Sequence, residues 1–242
     1  MTYCLAIRTE NGLVLASDSR TNAGVDHIST YSKMSVFELP GRLFILLSAG
    51  NLATTQAVVN RIQRDLEGPP DRISLSTVKH NLEAANYIGN LSIAEQHEYA
   101  VPLGQKGISA ECTFILGGQI QGLAHDIHLI YPQGNSITAS PTTPYLQIGE
   151  IKYGKPILDR VLSQKTSLND AARCALVSLD STMRSNISVG PPVDLAIYRK
   201  DALTLDRHLV LGSDAPEYVA IRDAWNAGLQ QAFSHLPRFG WE

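Results

Sequence analysis

The sequence predicts an α+β fold in a single domain, with paired strands packed against helices. Two strand-like segments at the start of the chain meet at Glu10-Asn11-Gly12, and an Asn-Gly turn of this kind is typical of a hairpin. The apolar run 43–47 suits a strand buried on both faces, and a helical pattern follows it directly. A second group of strands in the middle of the chain precedes further helices.

The first half of the chain predicts four strands and two helices. The strands are expected over 3–8, 13–17, 35–39 and 43–47. One helix is expected over 52–66, because Asn51 suits the N-cap position and Gly68 begins a Gly-Pro-Pro stop. We expect the second helix over 76–94, with Ser76 as its cap, although Gly89 weakens that helix.

The second half predicts more strands and three helices. The strands are expected over 112–117, 127–131, 145–148 and 193–199, with 203–209 pairing with the last of them. The helices are expected over 153–163, 168–183 and 215–233. Ser167 and Asp170 occupy capping-box positions at the start of the middle helix. No repeat, low-complexity segment or long linker divides the chain, so residues 1–242 are interpreted as one domain.

Composition excludes several classes of function. Of the 242 residues 44% are hydrophobic and the net charge is −3, so there is no basic footprint for nucleic acid. No apolar run approaches the roughly 18 residues of a membrane span. Arg8 and Glu10 interrupt the first apolar run, which does not resemble a signal peptide. The 3 cysteines are odd in number and widely spaced, which fits buried thiols in a reducing cytoplasm.

The first two residues allow one particular chemistry. If Met1 is removed, Thr2 carries a hydroxyl nucleophile and an α-amine on the same residue. An α-amine has a reference pKa of about 7.7–8.0, so part of it is neutral near pH 7 and can take the hydroxyl proton. This pairing is one way to activate a weak nucleophile. Many proteins begin with Met-Thr, so the rest of the chain must show whether Thr2 is a nucleophile.

Other constellations in the sequence carry less chemistry. In His125-Asp126-x-His128, positions 126 and 128 of a strand face one way and position 125 the other, which disfavours a three-ligand metal site. Gly117-Gly118 lacks the lysine and the helix of a phosphate-binding loop. We therefore expect neither a metal nor a cofactor.

Four short motifs stand out along the chain, and they are Ser17-Asp18-Ser19-Arg20-Thr21-Asn22-Ala23-Gly24, Ser32-Lys33-Met34, Gly149-Glu150-Ile151-Lys152-Tyr153-Gly154-Lys155-Pro156 and Ser188-Val189-Gly190-Pro191-Pro192. Taken in order, they resemble the proteasome β-subunit and its bacterial relatives, and most closely the Anbu (ancestral β-subunit) branch. The resemblance covers nearly the whole chain. It implies an N-terminal-nucleophile hydrolase with a four-layer αββα sandwich.

The resemblance also implies roles for individual residues. Thr2 matches the nucleophile, Lys33 the active-site lysine and Asp18 its acidic partner, although the gap between Asp18 and Lys33 is one residue shorter than in proteasome subunits. Gly50 matches the glycine whose N–H forms the oxyanion hole, and its place before a helix fits that role. The substrate pocket is expected to include Thr21, Asn22, Ser48 and Leu52. Without the resemblance, Asp18 is typical of a turn residue and Lys33 of a solvated charge.

Two departures from the family pattern concern the polar groups around the nucleophile. The usual Gly-Ser-Gly is here Gly149-Glu150-Ile151, and the usual Arg-Asp-x-x-Ser is here Arg184-Ser185-Asn186-Ile187-Ser188. Ser185 and Ser188 remain as sources of hydroxyls near Thr2. Glu150 is either a substitute polar partner or the first acidic residue of a helix, and the second interpretation is slightly favoured.

The function expected from this resemblance is that of a cytoplasmic threonine-type endopeptidase acting on peptides or proteins within a self-compartmentalising homo-oligomer. An ATP-dependent unfoldase partner is left open. One alternative is an amidohydrolase acting on isopeptide or small-molecule amides. The other is a non-catalytic assembly subunit, which we disfavour because such subunits carry an extra helical segment before the first strand, and here that strand starts at once.

Overall fold

The structure, a computed structural model, describes residues 2–22, 28–69 and 71–241. Its strands are β1 (Tyr3–Thr9), β2 (Gly12–Asp18), β3 (Arg20–Asn22), β4 (Ile28–Thr30), β5 (Met34–Leu39), β6 (Arg42–Gly50), β7 (Cys112–Ile120), β8 (Asp126–Ile130), β9 (Ser136–Thr138), β10 (Tyr145–Gly149), β11 (Val193–Arg199) and β12 (Arg207–Leu211). Its helices are α1 (Leu52–Leu66), α2 (Asn81–Gly104), α3 (Lys155–Val161), α4 (Leu168–Ser185) and α5 (Pro216–Ser234).

The strands form two five-stranded antiparallel sheets and one short ribbon. The first sheet has the order β10-β1-β2-β11-β12, and the second has the order β5-β6-β7-β8-β9. Strands β3 and β4 make the separate ribbon. The predicted hairpin is confirmed, since β1 pairs with β2 from Cys4 opposite Ser17 to Thr9 opposite Gly12. Strand β12 pairs with β11 as expected, but it begins at Arg207 rather than at residue 203.

Alternation along the apolar strands distributes their side chains between separate apolar clusters. In β6, Leu43, Ile45 and Leu47 pack into a cluster that contains residues of both sheets, whereas Phe44 and Leu46 pack against α1 and α2. Tyr3 and Leu5 of β1 face a third cluster, which contains residues of α3, α4 and α5. Apolar packing therefore covers both faces of each sheet, which explains why these strands are apolar at successive positions.

Helix α1 has the predicted bounds, and the Asn51 side chain caps it by accepting hydrogen bonds from the N–H groups of Ala53 and Thr54. The predicted bounds of the second helix, 76–94, are both wrong, because α2 runs over Asn81–Gly104. The hydroxyls of Ser74 and Ser76 hydrogen bond to each other across 2.7 Å within a turn, and α2 begins only after His80. Serine hydroxyls stabilise turns as readily as helix starts, and the local sequence did not separate the two cases.

Helix α2 contains Gly89 because another part of the chain touches the helix there. A Cβ on residue 89 would lie 2.2 Å from the carbonyl oxygen of Gly134. The loop that joins β8 to β9 therefore approaches the helix backbone directly, and only glycine leaves room for it.

Candidate active site

Thr2 lies immediately before β1 and is fixed by the turn after β10. Its carbonyl oxygen accepts a hydrogen bond of 2.7 Å from the Glu150 N–H. Gly149 has φ +84°, and a Cβ there would lie 1.9 Å from the same carbonyl oxygen. Glycine at position 149 is therefore required twice, by its backbone conformation and by the space that Thr2 occupies. Met1, whose removal the sequence interpretation requires, lies outside the described residues.

Asp18 and Lys33 form a buried ion pair beside this segment. Asp18 is 0% exposed at the end of β2, and Lys33 is 8% exposed just before β5. The Lys33 Nζ donates to Asp18 Oδ1 at 2.6 Å and to the Arg20 carbonyl oxygen at 2.8 Å. The interpretation of Lys33 as a solvated charge, which applied without the family resemblance, is therefore wrong.

Backbone groups fix the Asp18 carboxylate. Its Oδ1 accepts a hydrogen bond of 3.0 Å from the N–H of Tyr3, the residue next to Thr2. Its Oδ2 accepts bonds of 3.2 Å from the N–H groups of Arg20 and Gly190. A buried carboxylate requires donors of this kind, because an unpaired charge away from water is costly. Asp18 thereby holds Lys33 and the start of β1 in one arrangement.

Gly50 ends β6 and immediately precedes the N-cap of α1. Its φ of +114° and the 2.4 Å that would separate a Cβ from the Glu111 carbonyl oxygen both require glycine. The N-terminus of a helix carries a partial positive charge, so this corner of the site favours a developing negative charge.

A cavity of about 350 Å³ brings most of the expected residues together. Its wall contains three of the predicted catalytic residues, Thr2, Lys33 and Gly50, and three of the predicted substrate-binding residues, Thr21, Ser48 and Leu52. Arg20, Ala49, Thr55 and Gly149 also line it, and none of them was predicted as a site residue. Thr55 follows Leu52 by three residues on α1, so helical spacing was the signal that points to it.

Three predicted site residues have other placements. Asn22 lies in β3 by its backbone, but its side chain is outside the described part of the structure. Ser185 is the exposed last residue of α4, and Ser188 lies in the following loop; neither is in the cavity wall. The loop instead reaches the site through its backbone, since the Ile187 carbonyl accepts from Arg20 Nη1 at 2.7 Å and the Gly190 N–H binds Asp18.

The Glu150 side chain binds Asn186, and residue 150 does not start a helix. Helix α3 begins at Lys155, so the interpretation of Glu150 as the first acidic residue of a helix is wrong. Its Oε2 accepts a hydrogen bond of 3.2 Å from Asn186 Nδ2. Glu150 thus links the turn that supports Thr2 to the loop after α4.

The cysteines and the histidine cluster do not contribute to this cavity. All three cysteines are free and buried, as predicted, and burial raises the pKa of the Cys4 thiol although nearby Lys33 lowers it. Asp126 pairs with Arg8, and His125 Nε2 lies 2.7 Å from the Thr9 carbonyl oxygen. Burial lowers the pKa of His128. Asp126 and His125 therefore connect the start of β8 to Arg8 and Thr9 at the end of β1.

Comparison with known proteins shows which family this chain belongs to. The fold defines a mixed α/β protein built on antiparallel sheets. Neither a protein-family model nor a curated protein matches the sequence. Anbu (ancestral beta-subunit) from Yersinia bercovieri has a solved structure with 46% identity and a TM-score of 0.91, covering 98% of this chain and 99% of that one. The solved structure of Anbu from Hyphomicrobium sp. strain MC1 has 44% identity and a TM-score of 0.89, and the match covers 98% of this chain and 99% of that one.

A third solved structure is described as a helical assembly of the Anbu complex from Pseudomonas aeruginosa. It has 46% identity and a TM-score of 0.90, with 98% of each chain covered. The chain belongs to the Anbu family, which relates it to proteasome-like β-subunits. Across the described residues, no helix has the length and apolar character to cross a membrane.

Proposed function

We propose that this protein is a threonine-type peptidase with an N-terminal nucleophile, working in the cytoplasm within a proteasome-like homo-oligomer. The observation that carries the proposal is the shared cavity. Thr2, Lys33 and Gly50, which precedes α1, all line the same cavity of about 350 Å³. The three apolar clusters support reading the chain as one αββα domain of this class.

The proposed reaction begins once Met1 has been removed. The neutral α-amine of Thr2 takes the proton of its own hydroxyl as Oγ attacks the substrate's amide carbonyl carbon. The positive charge of Lys33 disfavours a second charge on that amine, which keeps it available as a base. Asp18 neutralises Lys33 and holds it in place through the 2.6 Å contact.

The tetrahedral intermediate carries its negative charge on the former carbonyl oxygen. The partial positive charge at the N-terminus of α1, beside Gly50, stabilises that oxyanion. The intermediate collapses when the amide C–N bond breaks, and the leaving amine takes the proton from the Thr2 ammonium. Water then attacks the ester on Oγ, the Thr2 amine again acting as base, and releases the acid and free Thr2.

Thr21, Ser48 and Leu52 are the proposed contacts for the substrate, and Thr55 adds a hydroxyl on the same wall. A second cavity of about 370 Å³ shares Lys33, Ser48, Leu52 and Thr55 with the first. The two cavities together give the side chains of a peptide substrate space on both sides of this shared wall. The auxiliary roles of Ser185 and Ser188 stay predictions.

The nucleophile is tested with a peptide epoxyketone, a probe that reacts with both the hydroxyl and the free amine of an N-terminal threonine. Intact mass should show protein that starts at Thr2 and gains one probe molecule. Thr2→Ala and a protein with an uncleavable N-terminal extension should gain none, whereas Thr2→Ser should react in part because it keeps hydroxyl and amine. Labelling or peptide hydrolysis by Thr2→Ala at the wild-type rate would place the nucleophile elsewhere.

A further inference from the structure

A second buried carboxylate lies beside the Asp18–Lys33 pair and has no part in the proposed reaction. Asp194 of β11 is 3% exposed. In the sheet, its neighbour Val193 is the register partner of Asp18. Asp194 itself is opposite Ser17, on the face of β11 whose next side chains, Ala196 and Tyr198, pack between the two sheets.

The carboxylate of Asp194 contacts the chain neighbours of both members of the ion pair. Its Oδ2 accepts a hydrogen bond of 3.0 Å from Ser32 Oγ and a longer one of 3.3 Å from Ser19 Oγ. Ser19 follows Asp18 and Ser32 precedes Lys33 in the chain. The other oxygen, Oδ1, lies 3.2 Å from Nε2 of His208 on β12.

The hydroxyl of Ser32 has a second acceptor within reach. Its Oγ lies 3.1 Å from the Met34 carbonyl oxygen and accepts from the Met34 N–H at 3.2 Å. It has a single proton to donate, and a carboxylate is the stronger acceptor because the bond is charge-assisted. The Ser32 hydroxyl therefore donates its proton to Asp194, while its oxygen accepts from the Met34 N–H.

The segment that carries Lys33 depends on such contacts. Residues 31–33 lie outside any strand, and two backbone bonds hold them, from Tyr31 N–H to the Ser19 oxygen and from Ser48 N–H to the Lys33 oxygen. Neither bond joins this segment to β11. Asp194 supplies that link, because it joins β11 of the first sheet to Ser32, which lies two residues before β5 of the second sheet.

We propose that Asp194 is a positioning residue, which holds Ser19 and Ser32 so that Lys33 Nζ stays against Asp18 and faces Thr2. The proposal rests on the proposed function of Thr2 and Lys33. It assigns Asp194 no contact with substrate. A displacement of about 1 Å in a catalytic group can cost on the order of 100-fold in rate, so a link of this kind matters for turnover.

The test measures the rate and the affinity of epoxyketone labelling separately. Asp194→Ala should lower the maximal labelling rate by about 10- to 100-fold and change the probe's half-saturating concentration by less than about 2-fold, the pattern of a lost alignment and not of lost binding. Asp194→Asn should stay within about 3-fold of wild type, because its amide oxygen still accepts from both hydroxyls. A wild-type rate in Asp194→Ala, or an Asn variant as slow as the Ala variant, overturns the proposal.

A double-mutant cycle tests the route of the effect. If Asp194 acts through Ser32, then Asp194→Ala combined with Ser32→Ala should be no slower than Asp194→Ala alone. If the reductions in labelling rate of the two single variants multiply in the double variant, Asp194 does not act through Ser32.

Asp180→Ala is the matched control. Asp180 is also a buried carboxylate, 5% exposed, but it binds Tyr218 and Arg184 at 3.0 and 2.9 Å on the helical side of the first sheet. It should lower the melting temperature and leave the labelling rate unchanged.

Crystal structures of wild type and Asp194→Ala provide a readout that does not need activity. The distance between Lys33 Nζ and Asp18 Oδ1 is 2.6 Å here and should exceed hydrogen-bonding range in the variant. An unchanged distance overturns the proposal whatever the kinetics. If Thr2→Ala and Lys33→Ala are unlabelled while Asp194→Ala is normal, the positioning role fails and the proposed function stands. If Thr2→Ala is labelled, the proposed function itself fails.

Discussion

Near Thr2, the buried carboxylate of Asp18 depends on the donors that surround it. Asp18 is fully buried, and its two oxygens receive three backbone N–H groups and one ammonium. If Lys33 is removed, the three backbone donors remain, so the carboxylate keeps much of its hydrogen bonding. The positive charge beside Thr2 disappears. Folding and chemistry therefore depend on different partners of the same carboxylate.

Lys33→Ala should abolish turnover and labelling while the protein still folds and assembles. The loss follows from the charge, because a group that acts within a catalytic unit typically contributes orders of magnitude in rate. Lys155→Ala is the control, since Lys155 is an exposed lysine paired with Asp159 at 2.8 Å on α3. It should label like wild type. More than about a tenth of wild-type activity in Lys33→Ala would make Lys33 a bystander.

A comparison of Gly149 with Gly122 separates the effect of a strained backbone from the effect of displacing Thr2. They have φ angles of +84° and +81°, but a Cβ on residue 122 meets nothing within 4 Å, whereas one on residue 149 meets the Thr2 carbonyl at 1.9 Å. Both alanine variants should lose about 1–2 kcal/mol of stability from the left-handed backbone. Only Gly149→Ala should also slow labelling, by roughly 100-fold, because Thr2 must move. Thermal melts and labelling rates of the two variants, measured side by side, check this, and equal rates would contradict it.

At the scale of elements, the boundaries follow both local capping and distant contacts. Asn51 caps α1 by itself, so that helix starts where the local sequence indicates. Helix α2 instead packs its Gly89 on a loop more than 40 residues further along the chain. Its glycine weakens the helix locally and permits close packing of the tertiary structure.

Gly89→Ala should therefore destabilise the protein, although alanine is the better helix former by about 1 kcal/mol. The new Cβ would lie 2.2 Å from the Gly134 carbonyl, so helix and loop must separate. Gly228→Ala in α5 is the control, because nothing lies within 4 Å of a Cβ there, and it should raise stability by up to about 1 kcal/mol. Chemical denaturation of both variants measures the difference, and a stabilised Gly89→Ala protein would contradict the close packing.

At the scale of the whole molecule, the chain exposes apolar side chains near its C-terminal end. Within and after α5, Leu229 is 50% exposed, Phe233 76% and Trp241 80%. Leu229 and Phe233 are four residues apart on α5 and so share a face of that helix, and large apolar side chains exposed together usually mark a surface that another molecule covers. An Anbu complex from Pseudomonas aeruginosa is described as a helical assembly, which makes a further copy of the chain the partner to expect.

The protein should consequently be a large homo-oligomer at micromolar concentration. Light scattering coupled to size-exclusion chromatography measures the mass directly. Particles several times heavier than the 26.3 kDa chain are expected, whereas a monodisperse species of 26.3 kDa would contradict the prediction.

The sequence by itself determined the parts of this protein that depend on near neighbours. The apolar run of β6 predicted a strand buried on both faces, and Asn51 with the glycine and prolines after residue 67 predicted the bounds of α1. Motif order predicted the family, which the solved structures confirm, and directed attention to Thr2, Asp18 and Lys33. These features can be predicted without a structure, because hydrophobic periodicity, capping and motif spacing each depend on residues that are close together in the sequence.

Only the tertiary structure decided what surrounds those residues. Gly149 beneath Thr2, the Gly190 N–H on Asp18 and the contact of Asp194 with Ser32 join positions that are between 147 and 172 residues apart in the chain. The start of α2 and the role of Glu150 were mispredicted for the same reason, since a serine or a glutamate has several local uses and distant partners select among them. Hydrogen bonds across the two sheets have no signature in local sequence, because register and packing bring their partners together only after the strands have paired.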